Sequence, residues 1–225
     1  LNKSTPPTVL TAEGVRFAAG PRTIEVSLSA AGGGVLQVAG PSGSGKTTLL
    51  KILARLRAPE AGELRLDGQP AADSDPRRWR RDVAYLAQRP VAFPGTVEDN
   101  LRLPFDLRIA DDSPYDPGRA AGLLDRVGLP PDRFLDQDAL SLSAGELHRV
   151  ALVRTFSASP RVLLADEPTA SVDPDTSRGL IALLEEWVAA GGALVLVIHD
   201  ESLWTGVERD RLELGDGSPT PEATP

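Results

Sequence analysis

Apolar positions along the chain fall into runs of two periods. "VRFAA" and "IEVSLSA" alternate like exposed antiparallel strands, and "GELRLDG" alternates in the same way. "GVLQVAG" reads as a buried strand running into a glycine-rich turn, and "VAYLAQ" as a short buried strand. "RVLLAD" and "ALVLVIH" are near-continuous apolar runs, as strands covered on both faces are. Elsewhere the period lengthens: "KTTLLKILARL" and "DTSRGLIALLEEWVAA" carry apolar residues at helical spacing. Strands and helices in alternation predict an α/β fold with a mostly parallel core sheet and an antiparallel β subdomain on its N-terminal side.

The texture changes from about residue 89 to residue 145. Pro90, Pro94, Pro104, Pro114, Pro117, Pro130 and Pro131 break this stretch into short helical pieces such as "TVEDNLRL" and "GRAAGLLDRVG". It predicts an α-helical subdomain inserted in the core of a single domain spanning 9–215. Residues 1–8 read as a tail. "DGSPTPEATP", 216–225, is polar and proline-rich and reads as a disordered one.

Composition narrows the chemistry. The 225 residues carry 24 Lys and Arg against 32 Asp and Glu, a net charge of −8, so no general attraction to nucleic acid is expected. "RRWRR", 77–81, accordingly reads as a solvated face. Without cysteine there is no disulfide, thiolate metal site or thiol nucleophile, and two histidines make no His-rich metal site. The apolar runs are far shorter than the roughly 20 residues of a membrane span, and no leader pattern opens the chain. The expectation is a soluble chain of cytosolic type.

"GPSGSGKTT" comprises Gly40, Pro41, Ser42, Gly43, Ser44, Gly45, Lys46, Thr47 and Thr48, and matches G-x-x-x-x-G-K-[ST]. Glycines let the backbone curl so that successive N–H groups point at phosphate oxygens. Lys46 brings a mobile charge to the β- and γ-phosphates, and the Thr47 hydroxyl suits Mg²⁺. The helix that follows adds its positive end. "RVLLADE" supplies the other half of such a site: Asp166 ends a buried strand where a magnesium-side carboxylate belongs, and Glu167 can polarise a water. His199 ends the last buried strand, at the sheet edge where ligands sit in open α/β folds. In "SLSAGELHR", 141–149, a capped helix start offers a second anion site.

This order of motifs (phosphate loop, Gln88, helical segment, "LSAGE", "RVLLADEP", "ASVD", His199) resembles the nucleotide-binding subunit of an ABC transporter from about Val9 to Gly215. The resemblance implies a P-loop NTPase core binding ATP and Mg²⁺, with Thr47, Gln88 and Asp166 around the metal. Glu167 would orient the attacking water, with His199 and Lys46 at the γ-phosphate. It implies that Ser143 and Gly145 close over the ATP of a second subunit, that Asp173 reaches across the pair, and that ATP draws two copies into a homodimer. It also implies an integral membrane permease as partner, reached through "RPVAFPGTVEDN", with this chain peripheral on the cytoplasmic side of the membrane. The segment "AQRPVAFPGTVEDNLRLPFDLR" most resembles iron-export-type subunits. Importers, lipid or peptide exporters and non-transport ATPases of the family are the alternatives.

Two positions depart from the family pattern. Ala144 replaces the first of two signature glycines. It is strained if that residue needs φ > 0, and well suited if the helix already begins there. The base-stacking aromatic of the family has Ala19 at its place, and Phe17, two residues earlier on the same strand face, is the expected substitute.

Overall fold

The computed structural model describes residues 8–106, 114–170, 172–204 and 206–215. The chain opens on β1 (Thr8–Ala19), turns back as β2 (Arg22–Ala31) and continues into β3 (Val35–Ala39) and α1 (Lys46–Leu53). Then come β4 (Ala61–Leu66), the two-residue β5 (Gln69–Pro70), α2 (Pro76–Asp82) and β6 (Val83–Leu86). Next are α3 (Val97–Asp106), α4 (Pro117–Arg126), α5 (Pro131–Phe134) and α6 (Ala144–Ser157). The last stretch holds β7 (Val162–Asp166), α7 (Pro174–Ala189), β8 (Ala193–Val197) and β9 (Arg209–Glu213). The tail residues 1–7 and 216–225 lie outside the described residues, and Thr8, expected in the tail, already belongs to β1.

Two sheets form, as the strand patterns predict. One is antiparallel, in the order β2-β1-β4-β5; the other has five strands, in the order β6-β7-β8-β3-β9, with every pair parallel. β9 completes the parallel sheet, although its "RDRLE" has a single buried residue, Leu212, and shows no strand alternation. Parallel pairing sends the carboxyl ends of β6, β7, β8 and β3 to one edge of the sheet. That edge carries Gln88, the Asp166–Glu167 pair, His199 and the loop 40–45.

The fully apolar strands β7 and β8 feed two cores by alternation. Val162, Leu164, Val195 and Val197 face the antiparallel sheet and α1, among Phe17, Leu50 and Leu53. Leu163, Leu194 and Leu196 face the opposite layer, among Leu152, Leu180, Leu184 and the helical-segment residues Leu101, Leu124 and Phe134. Period two is thus present but invisible in the sequence, because both faces are covered. The helical segment is tied to the core by Arg149, whose Nη1 donates to Val127 O at 3.1 Å, and by Arg126 on Glu186 at 2.5 Å.

"RRWRR" does more than present a solvated face. Asp75 caps α2, its carboxylate accepting from Arg77 N at 2.7 Å, and this turns Trp79 inward to 1 % exposure. The indole Nε1 donates to Leu53 O at 2.8 Å, closing the end of α1, while Arg77 and Arg78 remain exposed. Trp187 and Trp204 are packing residues: Trp187 lies against the Phe156 ring, and Trp204, which follows a short 3-10 turn, donates to Val207 O at 2.9 Å. Trp79→Ala is predicted to cost about 3–5 kcal/mol, read by urea denaturation. Trp79→Phe should cost about 1–3 kcal/mol, because it strands the Leu53 carbonyl.

Candidate nucleotide site

The loop between β3 and α1 is held open from below. Gly40 has φ 138°, and a Cβ there would lie 2.4 Å from the carbonyl oxygen of Leu214, the residue just past β9, whose N–H pairs with Ala39 O at 2.8 Å. Gly45, at φ 100°, precedes α1, and a Cβ on it would meet the Phe17 ring at 2.9 Å. Both glycines are required by close approach and by backbone conformation together. No side chain caps α1, so its first N–H groups are available to an anion. The Lys46 ammonium lies across the loop, donating to Gly40 O at 2.7 Å and to Pro41 O at 2.9 Å.

At the sheet edge, Asp166 is 1 % exposed and accepts a hydrogen bond from Tyr85 Oη at 3.0 Å. Burial and the Asp166 charge push the Tyr85 hydroxyl far above its ordinary range, so it stays a proton donor to Asp166. Glu167 follows with φ 53°, its N–H paired to Val197 O at 2.9 Å. A non-glycine residue held there costs about 1–2 kcal/mol, strain of the kind stored at functional sites. The conformation turns its carboxylate into the cleft, where one oxygen accepts from Gln88 Nε2 at 2.5 Å and the other meets His199 Nε2 at 2.7 Å. His199 is itself mostly exposed, while Glu167 is nearly buried.

These groups line one open cleft of about 580 Å³. Ser42, Gly43, Gly45, Lys46, Thr47 and Thr48 form its floor, and Gln88, Asp166, Glu167 and His199 form one end. Ala18, Ala19, Gly20 and Arg57 line the rest of it, and no sequence pattern singles out Arg57. Phe17 is a correction. It is 1 % exposed and wedged beneath Gly45, so its ring supports the loop and offers no open face to a base.

Ser143, Gly145 and Asp173 do not line that cleft. Ser143 caps α6 in a reciprocal box: its Oγ accepts from Glu146 N at 3.3 Å, and Glu146 Oε2 accepts from Ser143 N at 2.9 Å. The Ser143 hydroxyl and N–H hold the Glu146 carboxyl below its ordinary range. Ala144 is the first helical residue and has no positive φ, so alanine suits the position without strain. Asp173 caps α7, accepting from Thr176 N at 3.0 Å, and the Thr176 contact holds its carboxyl below the ordinary aspartate range.

A glycine cradle between strand and helix, a lysine over it and an Asp–Glu pair at the next strand end define a P-loop nucleoside triphosphatase. Residues 24–170 match the family model described as ABC transporter. The chain belongs to the ABC transporter family and is an ATP-hydrolysing ATPase domain of it. It is 41% identical over 201 residues to the lipoprotein-releasing system ATP-binding protein LolD of Maricaulis maris, covering 87% of this chain and 86% of that one. It is 35% identical over 196 residues to the probable iron export ATP-binding protein FetA of Escherichia coli, covering 86% and 85%. Among solved structures, the dimeric bacterial ABC transporter cassette MJ0796 superposes with a TM-score of 0.78 at 28% identity, covering 94% of this chain and 98% of that one.

Gly45→Ala tests the clamp. Its Cβ would collide with Phe17 and its φ would be strained, so ATP affinity is predicted to fall about tenfold or more in a calorimetric titration, with the fold retained.

Proposed function

We propose that two copies of this chain sandwich two ATP molecules and that closing and opening of the pair drive a separate integral membrane permease, against which the chain sits at the cytoplasmic face. One observation carries the reading. The γ-phosphate end of the cleft is furnished within one chain, whereas the start of α6, with Ser143 and Gly145, lines no part of it. A helix start that faces no phosphate in its own chain's cleft fits one brought by a second copy, which would take the place of the Glu146 carboxylate on Ser143. The likeness to a cassette described as dimeric supports this.

The residues at the γ-phosphate end suit Mg²⁺. The Thr47 hydroxyl, the Gln88 amide oxygen and the Asp166 carboxylate are hard oxygen donors facing one cleft, and Mg²⁺ takes few protein ligands beside substrate phosphates. The ion would supply charge neutralisation on those phosphates. Lys46 exchanges the Gly40 and Pro41 carbonyls for β- and γ-phosphate oxygens. Glu167, positioned by Gln88 and His199, would accept a proton from the water attacking the γ-phosphorus while the bond from that phosphorus to the β–γ bridging oxygen breaks and ADP leaves, and His199 would donate to a γ-phosphate oxygen. Asp173 reaches across the pair beside the partner's phosphate loop.

The membrane partner is assigned to the face around residues 90–96. Val91 and Phe93 are exposed there, and Asn100, itself 1 % exposed, grips Phe93 at its N–H (2.9 Å) and its carbonyl (2.8 Å). This face follows directly on Gln88, so a change at the nucleotide reaches it through a few residues of chain. Iron export has support from the resemblance of this segment and from the iron-export relative. The lipoprotein-releasing relative has the higher identity, 41% against 35%, over as much of the chain, and the cargo is assigned to the permease.

Glu167→Gln is predicted to lower ATP hydrolysis about 100-fold or more while leaving ATP binding intact. With Mg-ATP its solution mass, by light scattering, should double. Adding Ser143→Arg should keep it monomeric. A protein that stays monomeric with bound ATP, or that dimerises regardless of Ser143, contradicts the sandwich.

A further inference from the structure

The cleft is well furnished for phosphate chemistry, and the rest of its lining, Ala18, Ala19, Gly20 and Arg57, is sparse. Among the described residues that line the cleft there is no phenyl, phenol or indole ring: Phe17 is buried beneath the loop, and the His199 imidazole is engaged with Glu167. A purine bound there needs a flat surface on one face. Among the described lining residues outside the phosphate loop and the Glu167 cluster, the long side chain is Arg57.

Its placement follows from how α1 stops. Arg55 adopts φ 55°, and the N–H groups of Leu56 and Arg57 both return to Lys51 O, at 2.8 and 3.2 Å. The chain therefore doubles back on the helix. Arg55 points away, its Nη1 on Ser74 O at 2.8 Å and its guanidinium 5.8 Å from the Trp79 ring. Arg57 runs the opposite way, along α1 towards its start, and brings Nη1 within 3.5 Å of Thr48 Oγ1. Among the described residues it forms no ion pair, so its guanidinium is not committed to a carboxylate. Thr48 follows Lys46 and Thr47 at the start of α1 and lines the same cleft; with Lys46 given to the β- and γ-phosphates and Thr47 to the ion, a group held at Thr48 is left for the α-phosphate and nucleoside side.

We propose that Arg57 is the base platform of this site: its planar guanidinium covers one face of the purine, in place of an aromatic ring at the end of β1. A guanidinium is flat, delocalised and weakly hydrated, and it stacks on base planes as well as on aromatic rings. The inference rests on the nucleotide reading of the cleft, and a charge contact to the α-phosphate is its competitor.

The test titrates the full-length chain with Mg-ATP and, separately, with Mg-tripolyphosphate, which has the phosphates and no base. Arg57→Ala is expected to weaken ATP about tenfold and to leave tripolyphosphate unchanged. Arg57→Tyr keeps a plane without charge and is expected to retain most ATP affinity. Arg57→Lys keeps charge without a plane and is expected to behave as the alanine variant. The reverse order, lysine retaining and tyrosine losing, or an equal loss for tripolyphosphate, overturns the platform in favour of a phosphate contact. ATP affinity unchanged in all three variants overturns it outright. Lys46→Ala, run beside them, separates the two readings, since loss of both ligands there leaves the nucleotide site standing whatever Arg57 does. Arg57 is exposed, so thermal unfolding of its variants should match the parent.

Discussion

A triphosphate can be wrapped by backbone only where no side chain stands between the N–H groups and the oxygens, and the rest of this fold serves that constraint. Gly40 and Gly45 are bare because their Cβ positions are already filled, by the Leu214 carbonyl and by the Phe17 ring. The end of β9 and the inner face of β1 therefore press on the loop from two sides and fix its curvature. The same parallel pairing that brings β9 against β3 delivers Gln88, Asp166, Glu167 and His199 to the loop's open side. The antiparallel sheet contributes its buried face to holding the cradle in shape.

The electrostatics are arranged around charges this chain lacks by itself. Lys46 rests on two carbonyls, and Glu167 rests between an amide and an imidazole, bonds that a triphosphate and its ion would replace at little reorganisation. The start of α6 is likewise satisfied internally, through the Ser143–Glu146 box. In the proposed sandwich, a partner's γ-phosphate would displace the Glu146 carboxylate from the Ser143 hydroxyl, which it holds at 2.7 Å.

Much of this was legible in the residues. Strand and helix periods gave the α/β core, and the loop, the Asp–Glu pair and His199 stood out because phosphate chemistry demands those types in that order. What escaped detection has physical causes. β9 carries one apolar residue in five, because an edge strand of the sheet buries little. Trp79 was hidden in a run of arginines that alone would indicate solvent, yet a capped helix can turn one face inward. Phe17 was placed on the correct strand face, but strand periodicity cannot distinguish an aromatic beneath a glycine from one open to a ligand. Arg57 enters the cleft through a backbone reversal at Arg55 that no side-chain pattern signals.

The central claim is that each ATP is shared between two copies, and complementation tests it most directly. Lys46→Ala and Ser143→Arg are each made in a separate chain, and ATP hydrolysis is measured for each alone and for an equal mixture. In the mixed pair, one site combines an intact phosphate loop with an intact signature from the other chain. The account predicts that both variants alone are inactive and that mixing restores a substantial fraction of the parent rate. A mixture no more active than its two components would contradict it.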